Sequence, residues 1–520
     1  MSVDRDGNGL QEARERIAQA FDPAILADAG QAFGDILTHH FQSVLSGNSP
    51  VLNWNLPAQN LDRVTSELVP EHRQEFGGNG KSQSAPKTPA ELAERFGNLV
   101  KLTLSRGHNL HSPRYLGHQV PATVPLAGFF DAVGQITNQV NAVYEMGPWI
   151  TAVERVMSEK LAGYLGWDPN TSAAITTHGG SLANLTGLLA ARNVSIPGSW
   201  ETGIPADVDP VLVCHQDAHY SLSRAVGILG LGTGQVIKAA LDDRRRLDPR
   251  KLDAQLLQLK DAGKTIVAVT ACACSTPIGA FDQLQQIADV CEKHSVWLHV
   301  DAAHGGGALL STRHRHLLDG LSRADTVVWD AHKMMFVPAL CAFLFFKNRK
   351  HSFEAFQQEA PYLFDPSTAQ WGEYDSGLRT VECTKRGLAL GLWGTWSLFG
   401  PELFGDLVDV TFDLGQQFYR MLQDAEDFTP LHEPECNIVA FHYEPSELRG
   451  WPMEEQGQFL RELRVRVIQS GEFYFVQTTL DGRGALRVTL INPLTTTIEL
   501  SRFLETIRRH GSEMLAERGV

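Results

Sequence analysis

Residues 297–335 read WLHVDAAHGGGALLSTRHRHLLDGLSRADTVVWDAHKMM, and the fold follows from how that stretch is read. The apolar run Val296, Trp297, Leu298, Val300 ends at Asp301, the pattern of a buried strand whose last residue is a carboxylate. A second apolar run, Thr326, Val327, Val328, Trp329, ends in Asp330-Ala331-His332-Lys333, so a neighbouring strand delivers a lysine. A structural Asp–Lys pair at a sheet edge is the plain alternative. The flanking sequence bears on which reading holds.

N-terminal to this stretch the pattern is strand, turn, helix. Residues 173–177 are apolar or β-branched and run into His178-Gly179-Gly180-Ser181, after which Leu182, Leu185, Leu188 and Leu189 form a helical stripe with Ser181 near the N-cap. Glycines followed by a helix N-terminus form an anion site, because first-turn amides lack intrahelical acceptors. The turn is neither a P-loop nor GxGxxG. Further strands are predicted at 211–214, 265–271, 297–301, 326–329 and 342–346, with helices opening at Ala218-His219 and over 281–293. Repeated βα units over about 200 residues predict an α/β fold with a mostly parallel central sheet covered on both faces. Ligands of such sheets bind beyond the carboxyl ends of the strands. Gly180, Ser181, His219, Asp301 and Lys333 all fall at that rim.

The ends of the chain read differently. Residues 1–110 look like a helical arm, with a helix over 18–40, a low-complexity loop over 77–89 and a helix starting at Pro89. Residues 111–400 hold the α/β pattern, and 401–520 mix helices with strand-like stretches at 437–443 and 485–491, a small α+β domain. The histidines His108, His111 and His118 fit no standard zinc spacing, so no metal site is expected. The chain has 520 residues, 43% hydrophobic and 20% charged, which suits a globular protein with ample core. A net charge of −15 argues against nucleic-acid binding and against an anionic membrane surface. Apolar runs are far shorter than the roughly 20 residues of a membrane span. The first residues are polar and the seven cysteines scattered, so the cytoplasm is the expected compartment.

A lysine and a buried carboxylate at one rim suit pyridoxal phosphate, which uses a lysine for its imine and an acid to keep its ring nitrogen protonated. The residues resemble the pyridoxal-phosphate-dependent amino acid decarboxylases of the glutamate, cysteine sulfinate, diaminobutyrate and aromatic amino acid group. The resemblance runs from about His111 to Arg508 and is densest over 279–303 and 314–335.

It implies a type I (aspartate aminotransferase-like) fold, a homodimer with active sites at the interface, and release of CO2 from an L-amino acid. Lys333 would carry the cofactor, Asp301 would pair with its ring nitrogen, Ala303 would pack beneath the ring and His219 would stack above it. Gly180, Ser181 and His332 would bind the phosphate. Arg487, in LRVTLINP, would take the substrate α-carboxylate, Gln119 would line the substrate pocket, and Tyr362 would protonate Cα from a loop spanning 359–377. In that loop Ser376 or Gly377 would touch the partner's cofactor phosphate.

The sequence also departs from these relatives. His178 stands where Ser or Thr is usual, His304 where Trp or Tyr is common, Asp330 where the glutamate enzymes have Asn, and ACACST (271–276) where a Thr-rich turn is expected. His178 and His304 could reshape the site or add positive charge to it. The closest likeness favours a short acidic substrate, glutamate, aspartate or cysteine sulfinate. Diaminobutyrate or an aromatic amino acid, an aminotransferase or C–S lyase, and a non-catalytic scaffold are the alternatives.

Overall fold

The computed structural model describes residues 5–68, 88–356 and 372–519. The chain packs as two compact units, one of Met1–Tyr115 with Val465–Tyr474, the other of Leu116–Arg464 with Phe475–Val520.

The first unit contains the helices Arg5–Ala20, Ala24–Leu45, Pro57–Glu67 and Pro89–Arg106. The single helix expected over 18–40 is in fact two. Pro23, which has no amide hydrogen, occupies the N-cap of the second and separates it from the first. The helix at Pro89 starts where it was read, because Thr88 and Glu91 cap it reciprocally: each side chain accepts the other's backbone amide, at 3.2 and 3.1 Å. Two of the three clustered histidines pack on aromatic rings. His108 lies against Tyr115 and Tyr474 with centroids 5.0 and 4.2 Å away, and His111 against Phe41 at 4.7 Å.

Besides a two-stranded pairing of Val140–Asn141 with Lys385–Arg386, the second unit holds two larger sheets. Seven strands form the larger: β1 (Ala173–Thr177), β2 (Pro210–His215), β3 (Val236–Ala239), β4 (Thr265–Cys272), β5 (Leu298–Asp301), β6 (Thr326–Asp330) and β7 (Ala342–Phe346). Their spatial order is β1-β7-β6-β5-β4-β2-β3, and every pairing is parallel except those of β7, which runs against both β6 and β1. Every residue of β5, β6 and β7 is buried. Strands covered on both faces read as continuous apolar runs, which is why these were legible. Trp329, Phe343 and Phe345 are fully buried, each contributing about 1.5–3 kcal/mol of transfer free energy. The strand β3 was not foreseen; its four residues, VIKA, are only partly buried and carry no long apolar run.

The smaller sheet contains β8 (Phe428–Pro430), β9 (Ile438–Tyr443), β10 (Val476–Leu480) and β11 (Arg483–Thr489), antiparallel in the order β8-β9-β11-β10. Between the sheets of this unit, His304 Nε2 donates to Asn437 Oδ1 at 2.9 Å.

Two helix starts differ from expectation. The helix Gly180–Ser195 begins with Gly179 at its N-cap, at φ +96°, two residues before Ser181. The helix expected from 281 begins at Leu284. Asp282 is occupied instead as an acceptor, taking the amides of Leu247 and Cys272 at 2.7 Å each. Among the described residues no helix is long and apolar enough to cross a membrane.

Candidate active site

The parallel strands β1, β2, β4, β5 and β6 all end at the same rim, and a cavity of about 290 Å³ opens there. Asp301, Ala303, Lys333 and His332 line it from the ends of β5 and β6, and Gly180 and Ser181 from the start of the helix after β1. His219 and Gln119 complete the expected residues on its wall. The carboxylate and the lysine singled out in the sequence therefore face one space.

Asp301 is held by neutral donors. Its Oδ1 accepts the Ala303 amide at 3.2 Å and its Oδ2 accepts Asn184 Nδ2 at 3.0 Å. The other Nδ2 hydrogen of Asn184 goes to Ser221 Oγ at 3.0 Å, and Ser221 Oγ lies 2.8 Å from His219 Nδ1. His219 Nδ1 also accepts the Ser221 amide at 3.3 Å, which assigns the ring proton to Nε2. On the far side His299 Nε2 donates to Asn184 Oδ1 at 2.8 Å, while Thr326 Oγ1 sits 2.8 Å from His299 Nδ1 and accepts Trp297 Nε1 at 3.0 Å. Hydrogen bonds thus run in one direction from Trp297 through Thr326, His299, Asn184 and Ser221 to His219. Burial lowers the His299 pKa to about 4 against the pull of Asp301, so the ring is neutral and the direction is fixed. Burial likewise lowers His219, with Asp301 opposing. Sequence reading missed Asn184, Ser221 and His299. Asn184 and His299 are polar residues within otherwise apolar runs, and Ser221 stands in a polar helix start that gives no signal of its own.

Lys333 is held by a charge. Its Nζ lies 3.1 Å from Asp330 Oδ2, and its side chain stays 21% exposed toward the cavity. Burial pulls its pKa down, but the carboxylates of Asp330 and Asp301 outweigh that and hold the ammonium above the ordinary lysine range. His332 Nδ1 is 2.8 Å from the Cys341 carbonyl, with Nε2 3.6 Å from Asp330. Gly180 is required here: a Cβ on it would meet the Asp330 oxygens at 2.8 and 2.9 Å.

Arg487 sits on β11, 7% exposed, its Nη2 donating to Thr489 Oγ1 at 3.3 Å and its charge felt by His304 on the cavity wall. Burial lowers its pKa to about 10 and it remains a cation. Its Nε has no partner among the described residues. The positive charge expected from His304 is absent, because burial, with Lys333 and Arg487 adding repulsion, drives its pKa to about 3. His178 lines the cavity but its Nδ1 is 2.9 Å from Glu382 Oε1, so any charge it carries is balanced there. Tyr362 and most of the 359–377 loop lie outside the described residues.

These residues fit pyridoxal phosphate at three points: a lysine amine, a pre-oriented carboxylate in the same cavity, and a glycine-lined helix N-terminus beside Ser181 and His332 for an anion. Among the described residues no three metal-ligating side chains come together. The conserved-domain model of the pyridoxal-dependent decarboxylases matches residues 75–444.

The chain belongs to the pyridoxal-dependent decarboxylase family.

It is 28% identical to human cysteine sulfinic acid decarboxylase over 503 residues, 95% of this chain and 98% of that protein. The crystal structure of mouse CSAD superposes with a TM-score of 0.82 at 27% identity, covering 94% of this chain and 99% of that one. A structure of Oryza sativa TDC with PLP and tryptamine superposes with a TM-score of 0.83 at 20% identity, a likeness of fold. The architecture is accordingly fold type I, the cofactor is pyridoxal phosphate, and the protein is a carboxy-lyase acting on an amino acid.

Proposed function

We propose that this decarboxylase removes the α-carboxylate of a short acidic L-amino acid, with cysteine sulfinate first, then glutamate and aspartate. The observation that carries this reading is its likeness, over nearly its whole length, to relatives named for cysteine sulfinate.

Bound pyridoxal phosphate supplies an electron sink for the bond that breaks at Cα. The chain's own groups do the rest. Lys333 would hold the cofactor through its amine. Asp301, its oxygens fixed by Asn184 and Ala303, keeps a proton on the ring nitrogen. His219, neutral and oriented through Ser221, would cover the ring with Nε2–H available. Gly180, Ser181 and His332 would hold the phosphate, and Ala303 would pack against the ring. Arg487, a buried cation with an unused Nε, binds a carboxylate by its planar fork. Gln119 contacts the substrate side chain, and Tyr362 returns a proton to Cα. We further propose a cytoplasmic homodimer whose 359–377 loop completes the partner's site.

CO2 release measured across about twenty amino acids, without a keto acid, tests the assignment. Turnover confined to cysteine sulfinate, glutamate or aspartate is expected. Turnover only of diaminobutyrate or an aromatic amino acid would replace the substrate, and dependence on a keto acid would replace the reaction.

A further inference from the structure

Asp330 has no part in the reaction as described, yet its carboxylate is the ion-pair partner of Lys333. It ends β6, is 1% exposed, and places Oδ2 3.1 Å from Nζ. Its Oδ1 has no hydrogen-bond partner among the described residues. Other buried carboxylates of this unit are engaged by amides: Asp282 by two backbone N–H groups, Asp301 by one backbone amide and one side-chain amide. A buried carboxylate without such donors is costly unless a cation compensates it. Here the cation in contact is Lys333. The fold also reserves the space, since any side chain at 180 would collide with the Asp330 oxygens.

The titratable groups facing Nζ come from four elements. They are Asp330, Asp301, Cys274 beyond β4, His304 beyond β5 and His219 beyond β2. The thiol is pushed far up by burial and both imidazoles are pushed down, so these three are neutral near pH 7. Of the two charges left, Asp301 is committed to Asn184 and Ala303, and Asp330 alone touches the amine.

We propose that Asp330 is the positioning residue of the lysine: its carboxylate holds Nζ as an ammonium at the cavity whenever that nitrogen is not bonded to the cofactor. The inference rests on Lys333 being the cofactor lysine. It assigns to an aspartate the task of keeping the displaced lysine charged, aimed and close.

The test uses the full chain prepared without added cofactor. Lys333 is labelled with acetic anhydride over about pH 6 to 11 and quantified by mass spectrometry. In the wild type the pH of half-reaction should lie above that of the same lysine in the denatured chain. In Asp330→Asn it should fall by a unit or more, so that Lys333 reacts about tenfold faster near pH 8. Asp330→Ala should shift it the same way without burying an amide. A superimposable profile in a folded variant would overturn the proposal, as would a folded wild-type lysine that titrates below its denatured value. The second comparison needs no variant and decides the matter if both variants fail to fold. Borohydride fixation of added pyridoxal phosphate on wild-type Lys333 is scored separately, so loss of the cofactor reading is not confused with loss of this one.

Discussion

Asp301 and Asp330 end adjacent strands of one sheet, 8% and 1% exposed, and are held by opposite means. Asp301 has both oxygens bonded to neutral donors, behind which stands a directed chain of side chains reaching Trp297. Asp330 has one oxygen on an ammonium, with His332 Nε2 3.6 Å away, and the other on nothing described. A carboxylate saturated by fixed dipoles keeps its charge and place whatever approaches, which suits a permanent partner for a ring nitrogen. One that leans on a single lysine responds when that lysine moves. The difference separates a scaffold charge from a working one.

Removing the working side altogether should have the largest effect. Lys333→Ala should reduce CO2 release to the uncatalysed background while the far-ultraviolet circular dichroism stays that of the wild type. Residual turnover would break the contrast at its root. On the scaffold side, Asp301→Asn keeps the shape but loses the charge, and turnover should fall by about 10²–10³.

One step further back, Asn184→Ala strips a donor from Asp301 and from Ser221 and leaves His299 Nε2 without its acceptor. It should lower stability by about 1–3 kcal/mol in a denaturant titration and cost less turnover than the change at 301. Gly180→Ala should weaken cofactor binding, because its methyl meets the Asp330 oxygens. Combining it with Asp330→Ala should recover part of the loss, a coupling of roughly 0.5–3 kcal/mol in a double-mutant cycle. Additive losses would show that the close approach does not matter.

The last expected effect concerns acid. His299 and His304 are buried neutral, lowered to about 4 and about 3 from an ordinary value of 6.5. Between those limits the unfolded chain binds protons that the native chain refuses, so stability should fall as pH drops below 6.5, by up to about 1.4 kcal/mol per unit per group. Melting His304→Gln, which retains a donor for Asn437 and does not titrate, should give a shallower decline.

The sequence revealed what lies along single strands and hid what meets across them. Asp301 and Lys333 could be read because β5 and β6 are buried on both faces and their apolar runs end in charged residues. The Gly-Gly-Ser turn was read as a helix start, two residues late, since Gly179 rather than a hydroxyl residue takes the N-cap. Asn184, Ser221 and His299 escaped because they come from a helix interior, a helix start and a strand interior, with no spacing that links them before folding. His304 looked like a source of positive charge because residue type says nothing of desolvation. Arg487 was carried over by likeness alone, and its place on the smaller sheet follows from a pairing no local pattern encodes.

The central claim is that Lys333 and Asp301 hold one pyridoxal phosphate between them. Borohydride reduction of the loaded protein followed by peptide mapping tests it most directly. The pyridoxyl group should be found on Lys333, at a stoichiometry that collapses in Asp301→Ala. A label on another lysine, or none on any, would contradict the account.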